Sequence, residues 1–211
     1  MTHAMSRRRL LGMSAFGFVA LGTVGKTAHA AEAMDPAAAR IQAFYDVLLN
    51  GMKHAQDLGV QGRFEKLAPA IQQTFDSATM TRVAAGPSWN KIPPDKQQAL
   101  VEAFQRMTTA SYASQFAGYS GQQFTVEPKA TPRNADVIVH SRLVPGNRDP
   151  VTFNYLMRGS GADWKIEDVY LDGTISQLAV RRSEFSAILA SDGPDGLLAK
   201  LQAQSDGLLK S

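Results

Sequence analysis

Hydrophobic positions follow two different periods along this chain, and the change between them divides it. From Ile41 the apolar residues recur every three or four places, through Phe44, Leu48 and Met52, the stripe of an amphipathic helix. Asp35-Pro36 precedes that stripe as an N-cap followed by proline in the first helical position, and the helix is expected to run to about His54. A second helical stretch sets Phe64, Leu67, Ile71 and Phe75 on one face, with Pro69 expected to break or kink it. Asp76 or Ser77 then caps a short helix that stops near Gly86. Pro93-Pro94-Asp95 opens the strongest helix, with Leu100, Phe104, Met107 and Ser111 on one face, Tyr112 and Phe116 beside it, and Gly118 at its stop.

From Phe124 the period changes to two. Phe124-Thr125-Val126-Glu127 is a short strand ended by Pro128. The next run places Val137, Val139, Ser141 and Leu143 on one face. A turn at Pro145-Gly146-Asn147 leads to the alternation of Val151, Phe153, Tyr155 and Met157. Gly159-Ser160-Gly161 turns the chain again before Trp164. In that last strand Trp164 and Ile166 share one parity while Val169 and Leu171 share the other, which requires a bulge or burial on both sides. Asp172-Gly173 ends it, and Thr174 is placed to cap a helix carrying Ile175, Leu178, Phe185 and Leu189. A final helix brings Leu197, Leu198 and Leu201. The expected fold class is α+β, a curved four-stranded antiparallel sheet whose helices cover one face to make a cone.

The N-terminus differs from everything after it. Arg7-Arg8-Arg9 precedes an apolar run from Leu10 to about Val24, and Ala28-His29-Ala30 supplies the small-x-small pattern of a cleavage site. The run falls short of the roughly 20 apolar residues that span a bilayer. Arg7 and Arg8 with Leu10-Leu11 suit a twin-arginine leader. Residues 1–30 are therefore expected to be a cleavable signal peptide, with cleavage set by Ala28 and Ala30, the competing reading being an uncleaved N-terminal anchor, and residues 31–211 a single domain in the periplasm. Cleavage changes the charge: it takes four of the 22 basic residues and none of the 19 acidic ones, leaving 18 against 19, a net −1 in place of +3. The basicity belongs to the leader, and no nucleic-acid partner is expected.

Candidate chemistry is sparse. The chain has no Cys and four His, of which only His54 and His140 lie beyond the leader. A disulfide, a thiol nucleophile and a zinc–thiolate site are excluded, and neither a metal nor another cofactor is expected. There is no G-x-S-x-G elbow, and Gly159-x-Gly161 lies between two strands as a turn rather than a phosphate cradle. Glu167 and Asp168 are neighbours on a strand and point to opposite faces, so they cannot work as an acid–base pair. One of them facing inward would leave a cavity carboxylate for proton transfer. Arg181-Arg182 suits a solvated helix face with Glu184 nearby, the holding of an anionic head group, or the docking of a partner.

Two longer stretches resemble a known family. "GPSWNKIPPDKQQALVEAFQRMTTASYASQFAGYSGQQF" carries the Gly-x-x-Trp, Phe and Tyr pattern, and "WKIEDVYLDGTISQLAVRRSEFSAIL" the Trp-Lys-Ile-x-Asp-Val, Gly and terminal Phe block, of the MlaC/toluene-tolerance auxiliary family. "RFEKLAPAIQQTFD" is similar to its early helical segment, so the likeness covers about residues 37–204. Where the general family often has Asn-Tyr-Arg before Ser-Gln-Phe, this chain has Val180-Arg181-Arg182 before Ser183-Glu184-Phe185, which looks more like the hopanoid-biosynthesis-associated branch.

The resemblance implies a periplasmic lipid shuttle that works with membrane-associated ABC transporter components, with hopanoid or phospholipid as cargo. It implies an apolar pocket in an NTF2-like cone, and no enzymatic activity. Phe75, Trp89, Phe104, Tyr112, Phe153, Tyr155, Trp164 and Phe185 are the candidate residues, as pocket lining or supporting core. Two other readings use the same residues: an isomerase-like cavity enzyme, which needs a buried carboxylate, and a periplasmic adaptor, which needs a solid core.

Overall fold

The computed structural model describes residues 33–145 and 149–210; the expected leader and the Gly146-Asn147 turn lie outside them. Helix α1, Pro36–Lys53, buries Ile41, Phe44, Tyr45, Leu48 and Met52, the stripe its sequence shows. Asp35 occupies the N-cap position, yet its side chain makes no capping bond. Its carboxylate accepts instead from the Ala130 N–H at 3.0 Å and from Lys129 at 3.3 Å. A residue expected to cap its own helix thus ties that helix to the edge of the sheet. The Ala130 bond is the main reason its carboxyl is held below the ordinary value.

Helix α2, Ala55–Thr74, corrects another expectation: it continues through Pro69, and its irregular backbone falls at Gly59, with φ 59° and ψ −176°. Only glycine adopts such a conformation at little cost. An interior proline costs about 3 kcal/mol. Leu67 and Ile71 on either side are fully buried, and each such burial is worth about 1.5–3 kcal/mol, enough to offset it. The buried Arg63 clamps the irregular turn, donating from Nε to the Ala113 carbonyl at 2.8 Å and from its terminal nitrogen to that of Ala55 at 2.9 Å. Helix α3, Ser77–Ala85, is capped by Asp76, which accepts from the Thr79 N–H at 2.9 Å. A 3-10 turn over Gly86–Lys91 leads to α4, Pro94–Gln115.

The sheet has six strands, not four. They are β1 (Gln123–Val126), β2 (Thr131–Arg133), β3 (Asp136–Val144), β4 (Val151–Arg158), β5 (Lys165–Leu171) and β6 (Ile175–Ser176). Their order is β1-β3-β4-β5-β6, with β2 also paired to β3, and every pairing is antiparallel. β1 and β2 are two pieces of one edge: Phe124 faces Leu143 on β3, and Pro132 faces Val137 further back. A proline is harmless there because an edge strand leaves alternate donors unused. Three residues are too few to show a period, so β2 left no trace in the hydrophobic pattern.

Of the two alternatives that the parity switch in β5 allows, the strand takes the bulge. Leu156 pairs with Asp168 and Met157 with Ile166, leaving Glu167 as the extra residue. This is how Ile166 and Val169, of opposite parity, both become buried. Asp172 and Gly173, at φ 49° and 79°, then turn β5 into β6. Helix α5 begins at Gln177, and its cap is Ser176, accepting from the Ala179 N–H at 2.9 Å, rather than Thr174. Helix α6, Gly193–Leu208, is the last element among the described residues.

Helices cover one face of this open sheet. On the other face His140 lies between Asn154 and Thr131, each 3.1 Å from a ring nitrogen. Helices α1, α2, α3 and α5 meet the sheet directly, whereas α4 packs mainly on α2, α3 and α6. That placement leaves room between α4 and the strands. Among the described residues, no helix is long and apolar enough to cross a membrane.

Candidate functional site: an apolar cavity between α4 and the sheet

The space under α4 is a cavity of about 240 Å³. From α4 it receives Phe104, Met107, Thr108, Ser111, Tyr112 and Gln115, a set spaced three and four apart as one helix face. Phe153 of β4 and Val169 and Leu171 of β5 form the opposite wall. Phe75 and Met80 close one side, and Phe116 stands at the end of α4. Gln177, Leu178 and Arg181, from the first turns of α5, complete it.

Aromatic packing shapes the lining. The Tyr112 ring stands edge-on to Phe44 and Phe75, with centroids 5.3 and 5.7 Å away, and stacks on Phe116 at 5.7 Å. Phe104 meets Phe185 edge to face at 6.0 Å. Such rings resist displacement because each is held by several neighbours.

Beneath the lining lies a chain of buried hydroxyls. The Tyr45 hydroxyl is 2.8 Å from that of Tyr155 and 2.7 Å from that of Ser141, and Ser141 donates to the Phe153 carbonyl at 2.6 Å. Tyr112 interacts with Tyr155 at the other end. Burial pushes the Tyr45 hydroxyl up to about 12. Burial likewise raises Tyr112 and Tyr155, and their mutual proximity adds to the effect. These groups stay neutral and hydrogen-bonded to one another, which lets them lie behind an apolar wall without the cost of an unpaired polar group.

Of the eight candidate residues, Phe75, Phe104, Tyr112 and Phe153 line the cavity. Tyr155 lies behind its wall in the hydroxyl chain. Phe185 is buried against Phe104 and borders a separate groove between α5 and α6. Trp89 and Trp164 are partly buried against the core, away from the cavity; the Trp89 carbonyl accepts from the Gln97 side chain at 3.0 Å. Arg181, which the sequence offers together with Arg182 for an anionic head group, a docking contact or a solvated face, lines the cavity; Met80 and Gln177 were not among the candidates. Their only sequence signal was membership of amphipathic helices, which does not tell a cavity-facing position from a packed one.

The carboxylates are engaged elsewhere. Asp168 is buried and accepts from the Leu178 N–H at 3.0 Å, the Ser176 hydroxyl at 2.6 Å and its following N–H at 2.7 Å. It thereby fastens the start of α5 to the sheet. Glu167 lies 3.6 Å from Arg158, and partial burial raises its carboxyl despite that neighbour. The cavity lining contains no Asp, Glu or His. His54 is exposed and bonded to the Asn50 carbonyl at 2.9 Å. Among the described residues no group of His, Asp and Glu is placed to hold a metal ion.

The chain is similar in structure to a phospholipid-binding protein from Ralstonia solanacearum solved in complex with a phospholipid, with a TM-score of 0.70 and 25% sequence identity over 82% of this chain and 98% of that one. The family model described as "MlaC protein" matches residues 42–203, a stretch that runs from within α1 to within α6 and takes in every strand and every cavity-lining residue. The chain belongs to the MlaC protein family.

Proposed function

We propose that this protein is a periplasmic lipid carrier: it encloses the apolar part of a lipid in the cavity between α4 and the sheet and exchanges it with membrane-associated ABC transporter components. The observation that carries the reading is the cavity itself, walled by Phe75, Phe104, Met107, Phe116 and Phe153, with no Asp, Glu or His in its lining. A solid-core adaptor has no use for such a space, and an isomerase-like enzyme lacks a carboxylate within it. The similar protein from Ralstonia solanacearum is described as phospholipid-binding, which supports lipid as the ligand class.

Magnitudes fit a carrier. Each methylene removed from water is worth about 0.8 kcal/mol, so a chain of a dozen carbons contributes roughly 10 kcal/mol before ordering costs. The cavity of about 240 Å³ exceeds the roughly 150 Å³ that admits a benzene ring and falls below the roughly 300–1,000 Å³ usual for larger ligands. It holds one portion of a lipid in this form. A contiguous outer groove of about 370 Å³ shares Met107, Ser111, Gln115 and Arg181 with it and offers room for the remainder.

The cargo belongs to the hopanoid or phospholipid class. A fused-ring hopanoid loses little conformational freedom when enclosed, whereas two flexible tails lose much. Native mass spectrometry of the mature protein with extraction of its lipid tests the carrier reading directly. A bound lipid is expected. A protein that carries none, and takes up neither hopanoid nor phospholipid when offered them, overturns it.

A further inference from the structure

Arg181 is the one charged side chain in the cavity lining. It lies where the cavity passes into the outer groove: Met107, Ser111, Gln115 and Arg181 line both, and Gln204, Gly207 and Leu208 of α6 form the groove's far side. A guanidinium at the rim of an apolar space sets a polar boundary to whatever enters. Beside it on that boundary the Gln115 side-chain amide is a further group able to donate to an oxygen, whereas the Ser111 hydroxyl already donates to the Met107 carbonyl at 2.8 Å. The next residue does not share this place. Arg182 is exposed and its guanidinium lies over Gly86, about 3.5 Å from where a Cβ on that glycine would stand.

We propose that Arg181 is the headgroup anchor of the carrier and selects lipids with an anionic phosphate headgroup. This rests on the carrier reading and deepens it: of the two cargo classes, it favours the one with a negative charge next to its apolar body. The planar guanidinium fork fits two phosphate oxygens at once. A lipid lying with its tail under α4 would bring its phosphate to the rim where Arg181 stands, so apolar burial and charge pairing act on one molecule. The guanidinium already has a partner within the protein, the Glu184 carboxylate 2.8 Å away one turn along α5. Both partners are substantially solvent-accessible, at 32% and 47%, and an exposed pair of this kind is weak enough to be exchanged. Glu184 therefore acts as a stand-in for the headgroup: it keeps Arg181 paired when no lipid is present and competes with any lipid that lacks a strong anion.

The test compares phosphatidylglycerol with diacylglycerol of the same two acyl chains, each titrated into the purified, delipidated mature protein. Identical tails make apolar burial common to both, so the ratio of affinities reports the headgroup. The expected result is a preference for phosphatidylglycerol of about tenfold, the size of one charge-assisted contact. Arg181→Gln should bring the ratio close to one, Glu184→Gln should increase it by removing the competitor, and Arg182→Gln should leave it unchanged. Circular dichroism of each variant confirms the fold, and Glu184→Gln provides an independent reading if Arg181→Gln misfolds. Equal binding of both lipids by the wild type, or a preference that survives Arg181→Gln, overturns the anchor while leaving the carrier intact. Binding of neither lipid by the wild type removes the carrier and the anchor together.

Discussion

The hydroxyl of Tyr45, on the first helix, lies 2.8 Å from that of Tyr155, on the fourth strand, and both side chains are almost wholly buried. The two residues are 110 positions apart in the chain. Their contact joins the helical half to the sheet directly behind the cavity wall. Stacking of the Tyr45 ring on Phe124 at 4.4 Å holds the same joint from the side.

Tyr45→Phe keeps that stack and removes the hydroxyl shared with Tyr155 and Ser141. The change is expected to destabilise the protein by about 1–3 kcal/mol, the cost of leaving buried polar groups without a partner. Urea denaturation should show a lower midpoint with an unchanged slope. A midpoint equal to that of the wild type would mean the hydroxyl chain contributes nothing to stability.

The same hydroxyls predict an alkaline limit. Tyr45 has an ordinary value of 10.0 and is raised to about 12 in the folded protein. A raised value means the folded state holds its proton longer than the unfolded chain. The associated stability is fully present below pH 10 and is lost as the pH rises through 12. Loss should proceed at about 1.4 kcal/mol per pH unit for each such tyrosine, and Tyr112 and Tyr155, also raised, steepen it. Tyrosinate absorbance and circular dichroism followed together should change in one cooperative step. Gradual titration of these buried tyrosines while the fold persists would contradict this.

Ser111 faces the cavity from α4, with its hydroxyl donating to the Met107 carbonyl at 2.8 Å. Ser111→Trp should fill much of the space and lower the amount of co-purified lipid several-fold, at a stability cost of no more than about 1–3 kcal/mol. Lipid extraction set beside a thermal melt distinguishes the two effects. Undiminished lipid in a folded variant would place the binding site elsewhere.

Asp168→Ala should act on both stability and binding. It removes the acceptor of the Leu178 N–H and the Ser176 hydroxyl, at a cost of about 2–3 kcal/mol. Because Gln177, Leu178 and Arg181 follow immediately on α5, the cavity loses its fastened side. Hydrogen exchange should rise first at Leu178 and Ala179. Protection unchanged at these amides would show that other contacts hold α5 in place.

Export is the remaining prediction, and it concerns the proposed signal peptide over residues 1–30. Replacing Arg7 and Arg8 together by Lys is expected to strand the precursor in the cytoplasm if the twin-arginine route carries it. Fractionation that finds the double variant still exported at the normal level points to the general secretory route.

What the sequence determined by itself was chiefly local. The helical stripe of α1 and the start of α3, with Asp76 or Ser77 as its cap, were legible because a 3.6-residue period and a capping side chain act over a few neighbouring positions. The parity switch in β5 was legible too, as a bulge or burial on both sides, and the register placed the bulge at Glu167, which lets Ile166 and Val169 of opposite parity both be buried. Tertiary contacts decided the rest. Asp35 left its helix for Ala130, and α2 ran through Pro69 because burial of Leu67 and Ile71 offsets the lost bond. The cavity was beyond local reading for the same reason. Phe104 and Phe185 look alike in sequence and touch in the fold, yet only Phe104 meets the empty space. Whether an aromatic ring lines a cavity or fills a core depends on where α4 rests relative to the strands, and that is set by its packing on α2, α3 and α6.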